Sequence, residues 1–189
     1  MTDAEELMLR SKYHPGKREI RTPKPPSPTR NSINPESFPY AENEYICLIH
    51  TTETAIQVIQ KDAAIRKEKF PIVFFGIKDF NEIKLVNYAL TKPGNLHTNY
   101  SDRQMKLAAG CNAKANGIVV YAHSHPSEVK SYNCFSINDL TYLIQEALRT
   151  YDHSYGMLIT PEKVFAVKYD YVKLDFFRLK IYTKEHGEL

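Results

Sequence analysis

From Tyr45 to Lys168 short apolar runs alternate with polar breaks, the layout of strands interrupted by a few helices. Tyr45-Ile46-Cys47-Leu48-Ile49 predicts a short buried strand. Behind a Thr51 or Thr52 cap, Ala55, Ile56, Val58, Ile59, Ala63, Ala64 and Ile65 recur at helical spacing. Arg66-Lys67 then supplies the cations that suit a helix C-terminus. The run from Phe70 to Ile77 is too short for a typical helix and rich in β-branched and aromatic residues, so it predicts a central strand. Asp79-Phe80-Asn81 turns the chain, and Ile83 to Leu90 returns as an antiparallel neighbour. A second helix is expected from Ser101-Asp102 to Cys111, and a strand from Ile118 to Ala122. A polar loop, Pro126 to Phe135, leads to a helix capped by Ser136 and carrying Leu140 to Leu148. Tyr155–Thr160 and Val164–Lys168 predict a hairpin about Pro161-Glu162-Lys163, and the alternating stretch from Tyr169 to Tyr182 one or two further strands.

Candidate chemistry collects at one junction, where the apolar strand runs into His123-Ser124-His125-Pro126 and Ser136-Ile137-Asn138-Asp139 follows. Alternate side chains of a strand leave the same face, so His123 and His125 point together and Ser124 points away. Two imidazoles so placed can share one ion. Asp139, at the start of the next helix, adds a carboxylate and brings the protein ligands to three, and a fourth position left to water marks a catalytic rather than a structural zinc site. The alternatives are plain: solvated histidines at a strand end, and an aspartate that only favours the positive end of its helix.

Composition narrows the setting. The 189 residues, 42% hydrophobic, suffice for one domain of ordinary size with an extension. Arg10, Lys12, Lys17, Arg18, Arg21, Lys24 and Arg30, opposed in that stretch only by Glu19, are interleaved with Pro15, Pro23, Pro25, Pro26 and Pro28. Such a stretch cannot bury enough apolar surface to fold alone, so residues 1–40 are expected as an extended basic tail and 41–189 as the folded domain. The net charge of +3 does not by itself imply nucleic-acid binding, although a basic tail can contact phosphate backbones without reading sequence. No apolar stretch reaches the length of a membrane span, and Met1-Thr2-Asp3-Ala4-Glu5-Glu6 lacks a signal-peptide layout, so a cytoplasmic protein without a membrane partner is expected. Cys47, Cys111 and Cys134 lack CxxC spacing and read as free thiols; Cys134 has a remote second reading as a stray ligand or nucleophile.

Three stretches together resemble the JAB/MPN (JAMM) metalloprotease-like domains, most closely their RadC-like bacterial branch. They are Glu68-Lys69-Phe70, resembling the family's Glu-x-Phe; Asn112-Ala113 through His123-Ser124-His125-Pro126-Ser127, resembling its His-x-His-Pro-Ser signature; and Ser136-Ile137-Asn138-Asp139, resembling its Ser-x-x-Asp helix start. Two departures are present. Ser124 stands where RadC-like sequences usually carry Asn, and the loop between His125 and Asp139 is three residues longer than usual, a cheap change for a surface loop.

The resemblance implies an α/β fold with a mixed, largely antiparallel sheet flanked by helices. It also implies Zn²⁺ on His123, His125 and Asp139, Glu68 as general base and Ser136 as a hydrogen-bond donor to the oxyanion. Glu53 and Glu82 are weaker substitutes for the base. The implied reaction is hydrolysis of a peptide or isopeptide bond in an extended protein tail, including a ubiquitin-like conjugate, with Tyr88, Tyr100 and Tyr132 as groove candidates. The competing class is a RadC-like DNA-associated binding module without hydrolysis, for which the basic tail would supply the nucleic-acid contact.

Overall fold

The computed structural model describes residues 32–65, 71–90, 117–126, 133–183 and 187–188. In chain order these form β1 (Ser32–Ile33), a 3-10 turn (Pro35–Ser37), β2 (Tyr40–Leu48), α1 (His50–Ile65), β3 (Pro71–Asp79), β4 (Glu82–Leu90), β5 (Gly117–Ser124), β6 (Phe135–Ser136), α2 (Ile137–Thr150), β7 (Ser154–Ile159), β8 (Val164–Asp170), β9 (Asp175–Thr183) and β10 (Gly187–Glu188). The helix expected at 101–111 and most of the basic tail lie outside the described residues. Pro35 is already buried and Phe38 stacks on Phe176 at 5.4 Å, so the chain packs on the domain before residue 40.

The expected α/β fold, a mixed, largely antiparallel sheet flanked by helices, is overturned. The large sheet runs β10-β9-β2-β4-β3-β5-β7-β8, and β9 also pairs with β8, closing seven strands into a barrel. The cause lies in the length of β9. Its first half pairs antiparallel with β8, from Asp170↔Asp175 to Ala166↔Leu179, while its second half pairs parallel with β2, from Tyr45↔Lys180 to Leu48↔Thr183. One strand thus joins two edges that would otherwise stay open. Among the described residues only two helices accompany the barrel.

Strand alternation sorts the apolar residues into two cores. One face of each strand contributes Ile46, Leu48, Ile72, Phe74, Ile83, Leu85, Val120, Ala122, Met157, Ile159, Leu179 and Ile181 to the interior cluster, which Ile56 and Ile59 of α1 join. The opposite faces of β3, β5, β7 and β8 supply Val73, Phe75, Val119, Tyr121, Leu158, Phe165, Val167 and Tyr169 to an outer cluster covered by Leu140, Leu143 and Ala147 of α2. β5 is therefore buried on both faces. α2 lies close because β7 carries Gly156 beneath it, where a Cβ would stand 2.7 Å from Leu143 Cδ1. Ser154 fixes the same turn by donating to the Leu143 carbonyl at 2.6 Å.

One cluster of buried charge lies between β2 and β8. Lys168, 6% exposed, pairs with Glu44 Oε2 and with Asp170 Oδ2 (3.2 Å), and Lys78 reaches Glu44 Oε1 at 3.4 Å. Burial pushes the Glu44 carboxyl up, but the hydrogen bond and charge of Lys168 with the charge of Lys78 outweigh it, so the net shift is downward. Burial likewise opposes a net downward shift at Asp170, driven by the Lys173 backbone N–H, Lys168 and His153.

Two outcomes follow. Gly156→Ala must push α2 outward or displace Leu143, and overpacking of this kind costs about 1–3 kcal/mol, to be read from urea unfolding. Both carboxyls are depressed in the folded state, so their stabilisation is full above the unfolded carboxyl range near about 4 and is lost as pH falls through the lower folded values. Lys168→Met, which takes the shared ammonium from Glu44 and Asp170 and leaves them their weaker partners, should destabilise by about 3 kcal/mol at pH 7. That deficit should shrink in melts run below the unfolded carboxyl range; a deficit independent of pH would contradict the assignment.

Candidate metal centre

The pairing of β5 with β3 on one side and β7 on the other fixes where the histidines emerge: His123 stands opposite Pro71 and Leu158, at the end of the strand. His123 continues the outward series Val119, Tyr121, while Ser124, fully buried, continues the inward series. Beyond the strand, the His125 N–H donates to the Ile159 carbonyl at 2.9 Å, holding the backbone one residue further. The two imidazoles come together as the alternation requires, His123 Nε2 and His125 Nε2 lying 3.0 Å apart, and both residues are buried.

Asp139 arrives from α2. The helix start is locally over-determined: Ser136 Oγ accepts from the Asp139 N–H (3.2 Å), and Asp139 Oδ2 accepts from the Ser136 N–H (2.8 Å) and from its hydroxyl (2.8 Å). This is a reciprocal capping box with Asp in place of Glu. Phe135, just before the cap, and Leu140, four residues after it, are both in the outer cluster and make the hydrophobic staple that sets the entry angle of the chain. With the helix so anchored, Asp139 Oδ2 stands 3.6 Å from His123 Nε2. Asp139 therefore fills its capping role and also reaches the histidine pair.

The donor set can be tested against zinc. Two ligands of a tetrahedral ion at Zn–N or Zn–O of about 2.0–2.1 Å lie about 3.3 Å from each other. The observed 3.0 and 3.6 Å separations bracket that edge. As placed, however, no group of three or more His, Cys, Asp and Glu among the described residues meets the geometry of a metal site. The imidazoles must part by about 0.3 Å and the carboxylate close by the same amount. The 3.0 Å approach is also a hydrogen bond between one ring N–H and the other ring's lone pair, so the pair can be satisfied with or without an ion.

The surroundings sort the remaining candidates. Glu68, Tyr100, Tyr132 and Cys111 lie outside the described residues. Tyr88 packs on the interior cluster, its ring 6.2 Å from Phe74, and not along a groove beside the histidines. Glu82, at the start of β4 and so at the opposite end of the barrel, accepts from the Tyr182 hydroxyl at 3.2 Å. Glu53 is buried in the first turn of α1 and accepts from Gln57 at 3.3 Å. Burial and the charge of Glu36 push the Cys134 thiol up, the reverse of what a nucleophile needs.

Two features were missed from the sequence. Phe135 meets His123 edge-on at 6.3 Å, a contact its position before Ser136 signals through the staple pattern. The other is a relay on the same face of β5: the Tyr121 hydroxyl donates to Glu146 Oε2 (3.0 Å), and Arg149 holds that carboxylate through Nε (3.2 Å) and Nη2. Burial and the nearby Tyr142 and Glu146 push the Tyr121 phenol far up, and burial with Glu146 pushes Tyr142 up to about 12. Both phenols stay protonated at neutral pH, and the Tyr121 hydroxyl is the donor that pins β5 to α2.

No protein-family model and no curated protein matches the sequence. Among solved structures, the solution structure of protein DSY2949 from Desulfitobacterium hafniense is similar, with a TM-score of 0.45 and 14% identity over 75% of this chain and 94% of its own. A likeness at that level carries no functional argument.

The capping box and the candidate ligand can be separated. Ser136→Ala should cost about 1 kcal/mol of stability through the lost cap. Asp139→Asn keeps an oxygen able to accept from the Ser136 N–H and should cost less than Asp139→Ala in thermal unfolding, while both remove the anionic donor.

Proposed function

We propose that this chain is a zinc-dependent hydrolase of peptide or isopeptide bonds, with a metal-binding motif like that of the JAB/MPN metalloproteases. The observation that carries the reading is the approach of His123, His125 and Asp139 from two separate stretches of chain, at 3.0 and 3.6 Å, two imidazoles and a carboxylate being the donor types a catalytic zinc ion takes. His123, His125 and Asp139 would hold the ion. Zinc so held supplies a water acidified toward neutrality and polarises the scissile carbonyl.

The residues of this chain would do the rest. Glu68 is the proposed general base, taking the proton of the attacking water and passing it to the leaving amine. In sequence it precedes by three residues Pro71, the Cα partner of His123, and this proximity supports the assignment. Ser136 is the proposed oxyanion donor, with one condition set by its chemistry. A hydroxyl has a single proton, and that of Ser136 points at Asp139 Oδ2, so it must turn away from the carboxylate to meet a developing oxyanion. The substrate would be an extended segment of a protein, a ubiquitin-like conjugate included. A cytoplasmic location belongs to the same proposal.

The experiment is metal analysis followed by turnover. Purified protein should carry about one zinc per chain, removable by chelator, and His123→Ala and Asp139→Ala should each lose it. Glu68→Gln should retain zinc and lose turnover of an isopeptide-linked fusion by about 100-fold or more. Zinc content unchanged in both ligand variants would end this reading.

A further inference from the structure

The centre is covered. His123 and His125, 4% and 2% exposed, present almost no surface to an incoming carbonyl, so what covers them must move before a substrate reaches them. β5 is held by β3 and β7 on its two sides, and α2 by Leu140, Leu143 and Ala147 in the outer cluster. The third described neighbour is β1, which pairs antiparallel with β6 through Ser32↔Ser136 and Ile33↔Phe135, alongside the residue that caps Asp139 and the ring that meets His123.

β1 is the element held least. It is two residues long, and Ile33 is 36% exposed. Among the described residues its anchors lie downstream: the Asn34 side chain accepts from the Glu36 N–H (2.9 Å), Glu36 pairs with Lys163 (3.2 Å), and Phe38 stacks on Phe176. Residues 34–38 therefore fix the base of the segment, while Ser32 and Ile33 are tied, among the described residues, by a two-residue ladder. Such a tip belongs to the low-stability end of a fold and opens without disturbing the core. β6 itself lies outside the barrel, in a separate two-stranded sheet with β1. It is the strand edge to which an extended peptide can add beside the centre.

We propose that Ser32–Ile33 is an autoinhibitory strap: it takes the main-chain positions on β6 that an extended peptide would use next to Ser136, and its release opens the centre. The proposal rests on the hydrolase reading only for the identity of what is kept out. Because strap and edge belong to one chain, the strap competes at an effective concentration in the millimolar range, and an incoming peptide must outbind it.

The test uses the full chain. Continuing the register by one step sets position 34 opposite the native thiol of Cys134, so Asn34→Cys allows a disulfide that locks the strap and a reductant that frees it. Ser32→Pro with Ile33→Pro removes both N–H groups the tip can bring to the ladder and releases it without a cross-link. Access is read by carbethoxylation of His123 and His125 with diethyl pyrocarbonate in the presence of chelator, mapped by mass spectrometry, with the exposed His50 as internal reference. The locked form should react about tenfold more slowly than the reduced form, and the proline variant about tenfold faster than the parent, the change in open population expected from one or two marginal hydrogen bonds. Equal rates in the locked, reduced and proline forms would overturn the strap, as would fusion turnover indifferent to the lock. Labelling that follows the strap in protein that never turns over a fusion would support the strap and remove the hydrolase reading.

Discussion

Burial of β5 on both faces is the condition from which the site follows. A strand with one wet face would present His123 and His125 to water, as two solvated imidazoles with no reason to meet. Here Ile118, Val120 and Ala122 face the barrel interior, while Val119 and Tyr121 face α2. The outward series therefore ends in a dry interface, and the histidines at its end satisfy each other or an ion. The same interface fixes Asp139, since α2 is held down by Gly156 under Leu143 and by the Tyr121–Glu146–Arg149 relay. A carboxylate that caps a helix becomes a candidate ligand because the helix has no freedom to carry it elsewhere.

Much of this site was legible in the sequence. His-x-His at the end of an apolar run, followed by Ser-x-x-Asp, encodes both the shared face and the capping box, because strand alternation and helix capping are local rules that depend on few neighbours. Where locality ended, so did legibility. That β9 pairs with both β8 and β2 cannot be read from the alternating pattern of Asp175–Thr183, which fits an open edge strand as well as a closing one. Gly156 read as an ordinary strand residue, and its role is visible only once Leu143 stands over it. Tyr88, chosen as a groove aromatic, faced inward because its partner strand dictated the register.

The capping box and the proposed chemistry draw on the same atoms. Ser136 contributes one proton and Asp139 one oxygen to two sets of demands, and both sets are met within a single helical turn. This economy limits which substitutions can be read cleanly. An alanine at either position alters helix, ligand and donor together, so conservative changes that retain an acceptor carry the most information.

Closure through β9 has a consequence for how the chain comes into being. β2 is made early, and its parallel partner Lys180–Thr183 is made close to the end of the described chain, so the nascent polypeptide emerges from the ribosome with β2 and β8 each lacking a neighbour. Pairings of such sequence separation form late and leave apolar edges exposed meanwhile. Translation that stops before β9 would release a curved sheet with two sticky rims in place of a barrel, so β9 decides whether the product assembles or aggregates.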